Sequence, residues 1–148
     1  MKKILIAYWS GTGNTELMAK RVAQGVTDAG GEALLKNAAE TTPALVKEAA
    51  ALAFGCPAMG AEVLEEGEME PLIAALGSAE AGAKALGLFG SYDWGDGQWM
   101  RDWVDRMKSL GAQVDGEGII ARLEPDDDSL TRCYELGKRL AGKAELAL

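Results

Sequence analysis

Short apolar runs alternate with helical patterns along the whole chain. The first run, Ile4–Trp9, predicts a buried strand, and apolar residues at four-residue spacing then predict a helix from Asn14 to about Ala29. Four further strands are predicted at Glu32–Lys36, Ala49–Gly55, Ala85–Gly90 and within Val114–Arg122, where Gly116 and Gly118 interrupt the run. Further helices are predicted after a Thr42-Pro43 cap, at Pro71–Leu76, at Gln98–Leu110, and from an Asp128 or Ser129 cap to about Ala141.

This alternation predicts a parallel sheet that helices cover on both faces. Five strands joined by right-handed crossovers form a doubly wound α/β arrangement. No linker, repeat or low-complexity segment divides the chain, so we expect a single domain over residues 1–148. In such sheets, ligands bind at the carboxyl ends of the strands, near the point where the strand order reverses. We therefore expect the chemistry in the loops after the first, third and fourth strands.

Composition and charge exclude several classes of function. The chain has 148 residues, 48% of them hydrophobic, and a formal net charge of -8. This charge repels nucleic acid phosphates and anionic membranes, so we expect neither as a partner and expect basic-faced proteins instead. Because there is no histidine, and Cys56 and Cys133 are far apart, structural zinc and histidine-based acid–base catalysis are disfavoured. The apolar run at the N-terminus is too short to span a membrane and no cleavage site follows it, which predicts a cytoplasmic protein with reduced thiols.

The loop after the first strand, Ser10-Gly11-Thr12-Gly13-Asn14-Thr15, predicts a phosphate site. Its glycines allow a tight turn at a helix N-terminus, and its hydroxyl and amide side chains add hydrogen-bond donors. The lysine of a Walker A loop is missing, and Glu16 stands where a dinucleotide-binding turn has its third glycine. The loop therefore favours a terminal phosphate monoester. An ordinary strand–helix turn remains the alternative for this loop taken alone.

Two later loops differ in how much they indicate. Residues 56–62 contain Gly60, which can take a positive φ, and a carboxylate two residues later, but taken alone they fit an ordinary connection. Residues 90–97 place Tyr92 and Trp94 among three glycines, where a flat ligand is a good partner for the rings.

The other tryptophans have simpler interpretations. Trp99 and Trp103 lie at helical spacing and are predicted to pack in the core. Trp9, at the end of the first strand, fits the core and the pocket rim equally well.

Together, the three loops resemble those of the flavodoxins, specifically the short-chain bacterial type. The resemblance is carried by Ser10–Thr15, by Met59-Gly60 and by the pattern Ser91-Tyr92-x-Trp94-Gly95, and it extends to Asp96–Arg101 at the start of the fourth helix. It is weak from Glu32 to Ala49 and after Gln113. The resemblance implies a flavodoxin-like sheet with strand order 2-1-3-4-5 and a non-covalently bound FMN at its carboxyl edge.

The same resemblance implies which residues bind the cofactor. Residues of the first loop would hold the phosphate, through the side chains of Ser10, Thr12, Asn14 and Thr15 and the backbone N–H groups of Gly11 and Gly13. Trp94 would stack on the outer face of the isoalloxazine and Met59 would cover the inner face. Glu62 would accept a hydrogen bond from the flavin N3–H. The remaining contacts would come from Pro57, Ala58, Gly60, Ser91, Tyr92 and Gly95.

The implied function is that of a low-potential carrier of single electrons, with no catalytic residue and no metal. In the family, the glycine peptide at position 60 would turn a carbonyl towards the N5–H of the semiquinone, because glycine takes a positive φ without a Cβ clash. Carboxylates near the flavin would disfavour the anionic hydroquinone, although a solvated acidic face is the plainer interpretation of the same residues. These carboxylates belong to Glu62, Glu65, Glu66, Glu68, Glu70, Asp93 and Asp96.

The chain departs from its relatives at two positions near the implied flavin. Asp93 replaces a common glycine and Ala61 replaces an aspartate or serine, and we expect both to tune the potential without preventing binding. The implied partners are basic-faced redox proteins, namely reductases and flavodoxin- or ferredoxin-dependent oxidoreductases. The implied state is a cytoplasmic monomer.

Two other functions are open to a sheet of this kind. An FMN-dependent quinone or nitro reductase would need access over the flavin, which a stacked tryptophan obstructs, and steady NADPH turnover would favour it. A phospho-receiver would need an acidic pair after the first strand and an acceptor aspartate after the third, where this chain has Ser10 and Pro57-Ala58. A colourless purified protein would favour the receiver, so an absorption spectrum discriminates between them.

Overall fold

A parallel sheet forms the centre of the molecule, of which the computed structural model describes residues 2–146. The strands are β1 (Lys3–Tyr8), β2 (Glu32–Asn37), β3 (Ala51–Gly55), β4 (Ala85–Tyr92), β5 (Gln113–Val114) and β6 (Ile119–Arg122). They lie in the order β2-β1-β3-β4, and β5 and β6 both pair in parallel with β4. The order 2-1-3-4-5 is therefore confirmed, with the fifth strand divided where the sequence predicts an interruption.

Helices cover both faces of the sheet. One face carries α1 (Asn14–Asp28) and α6 (Asp127–Leu146); the other carries α2 (Pro43–Glu48), α3 (Met69–Ala74), α4 (Ser78–Ala81) and α5 (Gln98–Ser109). Along β1, Ile4 and Ile6 pack with the first layer, and Leu5 and Ala7 pack with the second. This alternation follows from the pleat of a strand, and all four side chains are fully buried.

Several helix boundaries differ from the predictions because side chains cap earlier residues. The last helix begins at Asp127, since the Asp126 carboxylate accepts from the N–H (2.8 Å) and hydroxyl (2.7 Å) of Ser129, and so the predicted cap at Asp128 or Ser129 was wrong. That helix also continues beyond Ala141. The predicted helix at Pro71–Leu76 begins instead at Met69.

The predicted cap at Thr42 is confirmed, because its hydroxyl accepts from the N–H of Leu45 at 3.2 Å. Two short elements were not predicted: a 3₁₀ turn at Ala38–Glu40 and the single turn of α4. Neither is long enough to show a helical period in the sequence.

The carboxyl edge of β3 and β4 is fixed by a close packing contact. Trp99 and Trp103 are each 1% exposed, which confirms their predicted place in the core. The indole N–H of Trp99 donates to the Cys56 carbonyl at 3.1 Å. That carbonyl lies where a Cβ of Gly90 would be, so only glycine fits at this point of β4. The loops that follow β3 and β4 therefore begin side by side.

Candidate functional site

The first loop, residues 10–15, is closed by its own serine. The Ser10 hydroxyl oxygen accepts from the backbone N–H groups of Gly13 (3.1 Å) and Glu16 (3.3 Å). Gly13 has φ 97° and precedes the first residue of α1. The N–H groups of Asn14 and Thr15 lie in the first helical turn, where a helix offers no backbone acceptor. The loop therefore presents unpaired donors at the positive end of the helix dipole.

A buried hydroxyl pair joins this loop to the end of β4. The hydroxyl oxygens of Thr15 and Ser91 are 3.1 Å apart, and the Ser91 N–H donates to Thr15 Oγ1 at 3.3 Å. Thr15 is 1% exposed. Thr12 and Asn14, by contrast, make no side-chain hydrogen bond with any residue in the range 2–146. Thr15 and Ser91 thus fix the loop, while Thr12 and Asn14 are the side chains left to bind a ligand.

The second loop forms a tight turn between Met59 and Val63. The backbone N–H of each residue donates to the carbonyl of the other, at 2.9 and 3.0 Å. Between them, Gly60 has φ 48° and Glu62 has φ 55°, so the turn needs the left-handed region at two positions. The Glu62 carboxylate lies across the gap to α5, where Oε1 accepts from the N–H groups of Gly97 (3.2 Å) and Gln98 (3.0 Å).

The third loop carries the aromatic residues. Trp94 is 61% exposed, which is unusual for so large an apolar side chain. Tyr92 precedes Trp94 by two residues and packs against the core, with its ring centroid 5.6 Å from that of Trp99. An indole this exposed leaves much of its ring uncovered, and a flat ligand is a good partner for such a face.

The three loops enclose one cleft of about 250 Å³ at the carboxyl edge of the sheet. Most of the residues that the sequence predicts to bind the cofactor line this cleft, namely Ser10, Gly11, Thr12, Asn14, Thr15, Pro57, Ala58, Met59, Ser91 and Tyr92. Gly13, Gly60, Glu62, Trp94 and Gly95 belong to the same three loops but are not part of the lining. The structure adds Leu123, which the sequence reasoning did not consider, and also Trp9 and Asp93, which it placed at a possible pocket rim and near the implied flavin without assigning them a binding contact.

Of these additions, Trp9 has the clearest structural reason. Its ring packs over Gly11, where a Cβ would lie 3.1 Å from the indole, and its N–H donates to Glu68 at 3.3 Å. Trp9 therefore bridges the first loop and the segment before α3, and it belongs to the rim. Leu123 carried no signal in the sequence; its N–H donates to the Tyr92 carbonyl at 2.7 Å, which brings it to the cleft.

Larger clefts lie elsewhere, and they have a different character. One of about 490 Å³ runs beside α5, between Arg101 and Arg132, and one of about 550 Å³ lies at the amino edge of the sheet. The first includes Gly97, at the end of the third loop, and no residue of the other two loops; the second includes no residue of any of the three. The smaller cleft is the better candidate because it combines the helix N-terminal donors of the first loop with the aromatic and apolar side chains of Trp9, Met59 and Tyr92.

The surroundings of the cleft are acidic, although less strongly than the sequence suggests. No lysine or arginine occurs among residues 62–70. Yet Glu70 forms a two-bond ion pair with Arg106 (2.6 and 2.7 Å), and Asp96 pairs with Arg101 at 2.9 Å. The hydrogen bonds from Arg106 hold the pKa of Glu70 below its usual range. These two carboxylates are therefore partly neutralised.

Glu65 has a structural task in the same segment. Its carboxylate accepts from the N–H groups of Gly67, Glu68 and Met69 at 2.6 to 2.9 Å, which starts α3 two residues before the predicted position. Burial raises the pKa of Glu65, but these three hydrogen bonds outweigh it and the pKa lies below its usual value. Glu65 thus stays ionised and shapes the loop.

The thiol nearest the cleft is not a reactive group. Cys56 is completely buried, and burial raises the pKa of its thiol to about 12. At neutral pH almost none of it is thiolate, the form that reacts. Among residues 2–146, no group of histidine, cysteine or acidic side chains is placed to hold a metal, and no helix is long and apolar enough to cross a membrane.

Comparison with known proteins gives a consistent result. The family model for flavodoxin matches residues 6–137. The chain is 43% identical to a flavodoxin of Clostridium beijerinckii and 40% identical to one of Megasphaera elsdenii, over 92% of this chain and 97% and 96% of those proteins. The solution structure of two-electron reduced Megasphaera elsdenii flavodoxin matches with a TM-score of 0.82 and 38% identity, over 94% of this chain and 98% of that one.

Proposed function

The chain belongs to the flavodoxin family, and we propose that the cleft between its three loops is where it holds FMN. Flavodoxins bind FMN and transfer electrons; they are not enzymes. This chain is accordingly an FMN-binding electron carrier, and the alternative of a quinone or nitro reductase is not favoured. The one observation that carries the placement is that the helix N-terminal donor loop and the loop that bears the exposed Trp94 line the same cleft.

The residues present fit FMN at both ends of the cleft. A phosphate monoester needs several donors and no single fixed cation, and residues 10–15 offer helix N-terminal N–H groups and the free side chains of Thr12 and Asn14. A flat ring needs apolar faces, and Met59 and Tyr92 line the cleft while Trp94 stands exposed beside it. When bound, FMN supplies the one-electron redox chemistry.

Each predicted binding residue has a role in this proposal. Thr12 and Asn14 bind the phosphate directly, with the N–H groups of Gly11 and Thr15. Ser10 and Gly13 shape the loop, because the Gly13 N–H is already paired with the Ser10 hydroxyl. The ring is held by Pro57, Ala58, Met59, Gly60, Glu62, Ser91, Tyr92, Trp94 and Gly95, as the sequence predicts.

We also propose basic-faced redox proteins as the partners of a single-domain, monomeric and cytoplasmic chain. The net charge of -8 supports the first part, as do the exposed carboxylates of Asp93, in the lining of the cleft, and of Glu66, in the acidic segment at residues 62–70. A match to the family model over residues 6–137 supports a single domain. Both cysteines are free and buried, which is compatible with a reducing compartment.

Thr12→Val tests the position of the phosphate. Valine has nearly the same shape as threonine but lacks the hydroxyl donor. We therefore expect FMN to bind roughly tenfold more weakly, which corresponds to the loss of one hydrogen bond to the charged phosphate. Riboflavin has no phosphate, and its affinity should not change. Fluorescence quenching of each flavin measures both values.

The matched control is Thr27→Val, on an exposed part of α1 far from the loop. It should leave both affinities at their wild-type values. Equal losses for FMN and riboflavin in Thr12→Val would show that Thr12 does not contact the phosphate.

A further inference from the structure

We propose that the Glu62 carboxylate is a positioning group that fastens the 59–63 turn to the N-terminus of α5, so that the turn and the aromatic loop respond to the flavin as one unit. The response to the flavin rests on the proposed function. The fastening itself is a property of the chain and can be tested separately.

The first support is a helix end that lacks its own cap. Gly97 precedes α5 and has no side chain with which to accept the free N–H groups of the first turn. Glu62 supplies the acceptor from 35 residues away, since its Oε1 receives the N–H of both Gly97 and Gln98. A carboxylate at this place also interacts favourably with the helix dipole.

The second support is the strained backbone of Glu62 itself. A φ of 55° is rare for a residue with a Cβ, and such a conformation persists only where neighbouring contacts hold it. The Met59–Val63 hydrogen bonds hold the base of the turn, and the two bonds to α5 hold its far side. The carboxylate therefore selects the conformation of the turn as well as capping the helix.

The third support is a direct contact with the aromatic loop. A Cβ on Gly95 would lie 2.6 Å from the carboxyl carbon of Glu62, so the carboxyl group packs against the backbone next to Trp94. One side chain thus contacts the turn that contains Gly60, the loop that contains Trp94 and the start of α5. A change in the turn must either break these contacts or move the loop.

This arrangement leaves room for the flavin contact expected from the sequence. The bonds to Gly97 and Gln98 use Oε1, and Oε2 has no hydrogen-bond partner among residues 2–146. One oxygen can therefore fasten the turn while the other accepts from the flavin N3–H. Glu62 would then connect the ring edge to α5 directly.

Amide hydrogen exchange of the full-length chain, with and without FMN, tests the fastening. Two pairs of amides report on it: Met59 and Val63 for the turn, and Gly97 and Gln98 for α5. In Glu62→Ala we expect both pairs to exchange about tenfold faster or more, as for the loss of a charged hydrogen bond. Glu62→Gln keeps an acceptor oxygen and should stay close to the wild-type rates.

Glu66→Ala is the control. It removes an equal charge from the same acidic segment, and the exposed Glu66 side chain makes no hydrogen bond with any residue in the range 2–146. Wild-type exchange at Gly97 and Gln98 in Glu62→Ala would overturn the proposal, as would faster exchange there without any change at Met59 and Val63. Equal acceleration in Glu62→Gln and Glu62→Ala, or in Glu66→Ala, would do the same. The exchange rates of the flavin-free chain test the fastening without any cofactor. If the chain failed to bind FMN, only the proposed function would be contradicted.

Discussion

At the scale of the residue, Gly60 and Gly142 show how one substitution can have opposite effects. A Cβ at either position would meet no atom within 4 Å, so space does not decide the outcome. Gly60 has φ 48°, where alanine costs roughly 1 kcal/mol, whereas Gly142 lies in α6, where alanine gains about 0.5–1 kcal/mol. We expect Gly60→Ala to lower and Gly142→Ala to raise the free energy of unfolding, measured with urea on the flavin-free chain.

Substitution of Gly60 should also change the redox potential of the bound cofactor. When the peptide at Gly60 reorients as an electron arrives, alanine adds strain beyond that of the flavin-free turn. Gly60→Ala should therefore lower the first one-electron potential, while the binding of oxidised FMN, which keeps the flavin-free turn, stays nearly unchanged. Gly142→Ala should alter neither quantity. A Gly60→Ala protein as stable as the wild type would contradict the conformation described for the turn.

The residue scale also shows what sequence reasoning could not separate. Ser10, Thr12, Asn14 and Thr15 are all polar residues of one glycine-rich loop, and the sequence predicts one role for all of them. The structure assigns Ser10 to closing the loop and Thr15 to Ser91, 76 positions away. No local pattern contains a contact at that separation. The place of the loop at the carboxyl edge of the sheet could be predicted from the sequence, but which of its side chains close the loop and which stay unpaired could not.

At the scale of the element, Asp115 fastens the broken fifth strand to α6. Its carboxylate accepts two bonds from Arg139 at 3.0 Å and one from Lys143 at 3.3 Å. Burial raises the pKa of Asp115, but Arg139 and then Lys143 outweigh it and hold the pKa below 3.8, its ordinary value. A lowered pKa stabilises the folded state above the ordinary pKa, and this stabilisation is lost as the pH falls through the lowered value.

We therefore expect Asp115→Asn to be about 1–2 kcal/mol less stable than the wild type at pH 7, a modest value because both cations are about half exposed, at 48%. The difference should shrink below pH 3.8. Urea unfolding across the pH range measures it, with Asp105→Asn, an exposed site of equal charge, as the control. A difference that is constant with pH would exclude this role for Asp115.

The elements were predictable to the extent that they repeat a local pattern. The long helices α1 and α5 have a clear apolar period, and their predicted starts at Asn14 and Gln98 are confirmed. The single turn of α4 has no period to detect. The start of α3 depends on the Glu65 carboxylate, whose capping contacts follow from the path of a loop rather than from hydrophobic spacing.

At the scale of the whole molecule, charge is unevenly distributed over the two edges of the sheet. The amino edge has a cleft that includes Lys2, Lys3, Lys84 and Lys143, while the carboxyl edge carries the acidic segment at residues 62–70. The proposed basic partner would therefore be attracted to the edge where the proposed cofactor cleft lies. The strand order that creates these edges could not be read from periodicity; it came from the resemblance of the loops.

This asymmetry predicts electron transfer that depends on salt. The Debye length falls from about 30 Å at 0.01 M to about 10 Å at 0.1 M, so transfer to a basic acceptor should slow across that range. An acidic acceptor should show the opposite trend, because salt screens repulsion. Stopped-flow rates with the two acceptors measure both trends. Rates that do not change with salt for the basic acceptor would contradict the proposed docking edge.

The central claim is that the loop at residues 10–15 binds the phosphate of FMN, and the most direct test compares FMN with riboflavin. The two ligands share the ring and the ribityl chain and differ only in the phosphate. Riboflavin cannot make the hydrogen bonds to the charged phosphate. Because at least two such bonds are lost, riboflavin should bind about 100-fold more weakly than FMN, or weaker still. Fluorescence quenching of each flavin by the purified chain gives both dissociation constants. Affinity for riboflavin at least roughly 100-fold weaker is the predicted result, and equal affinity for the two ligands would contradict the claim.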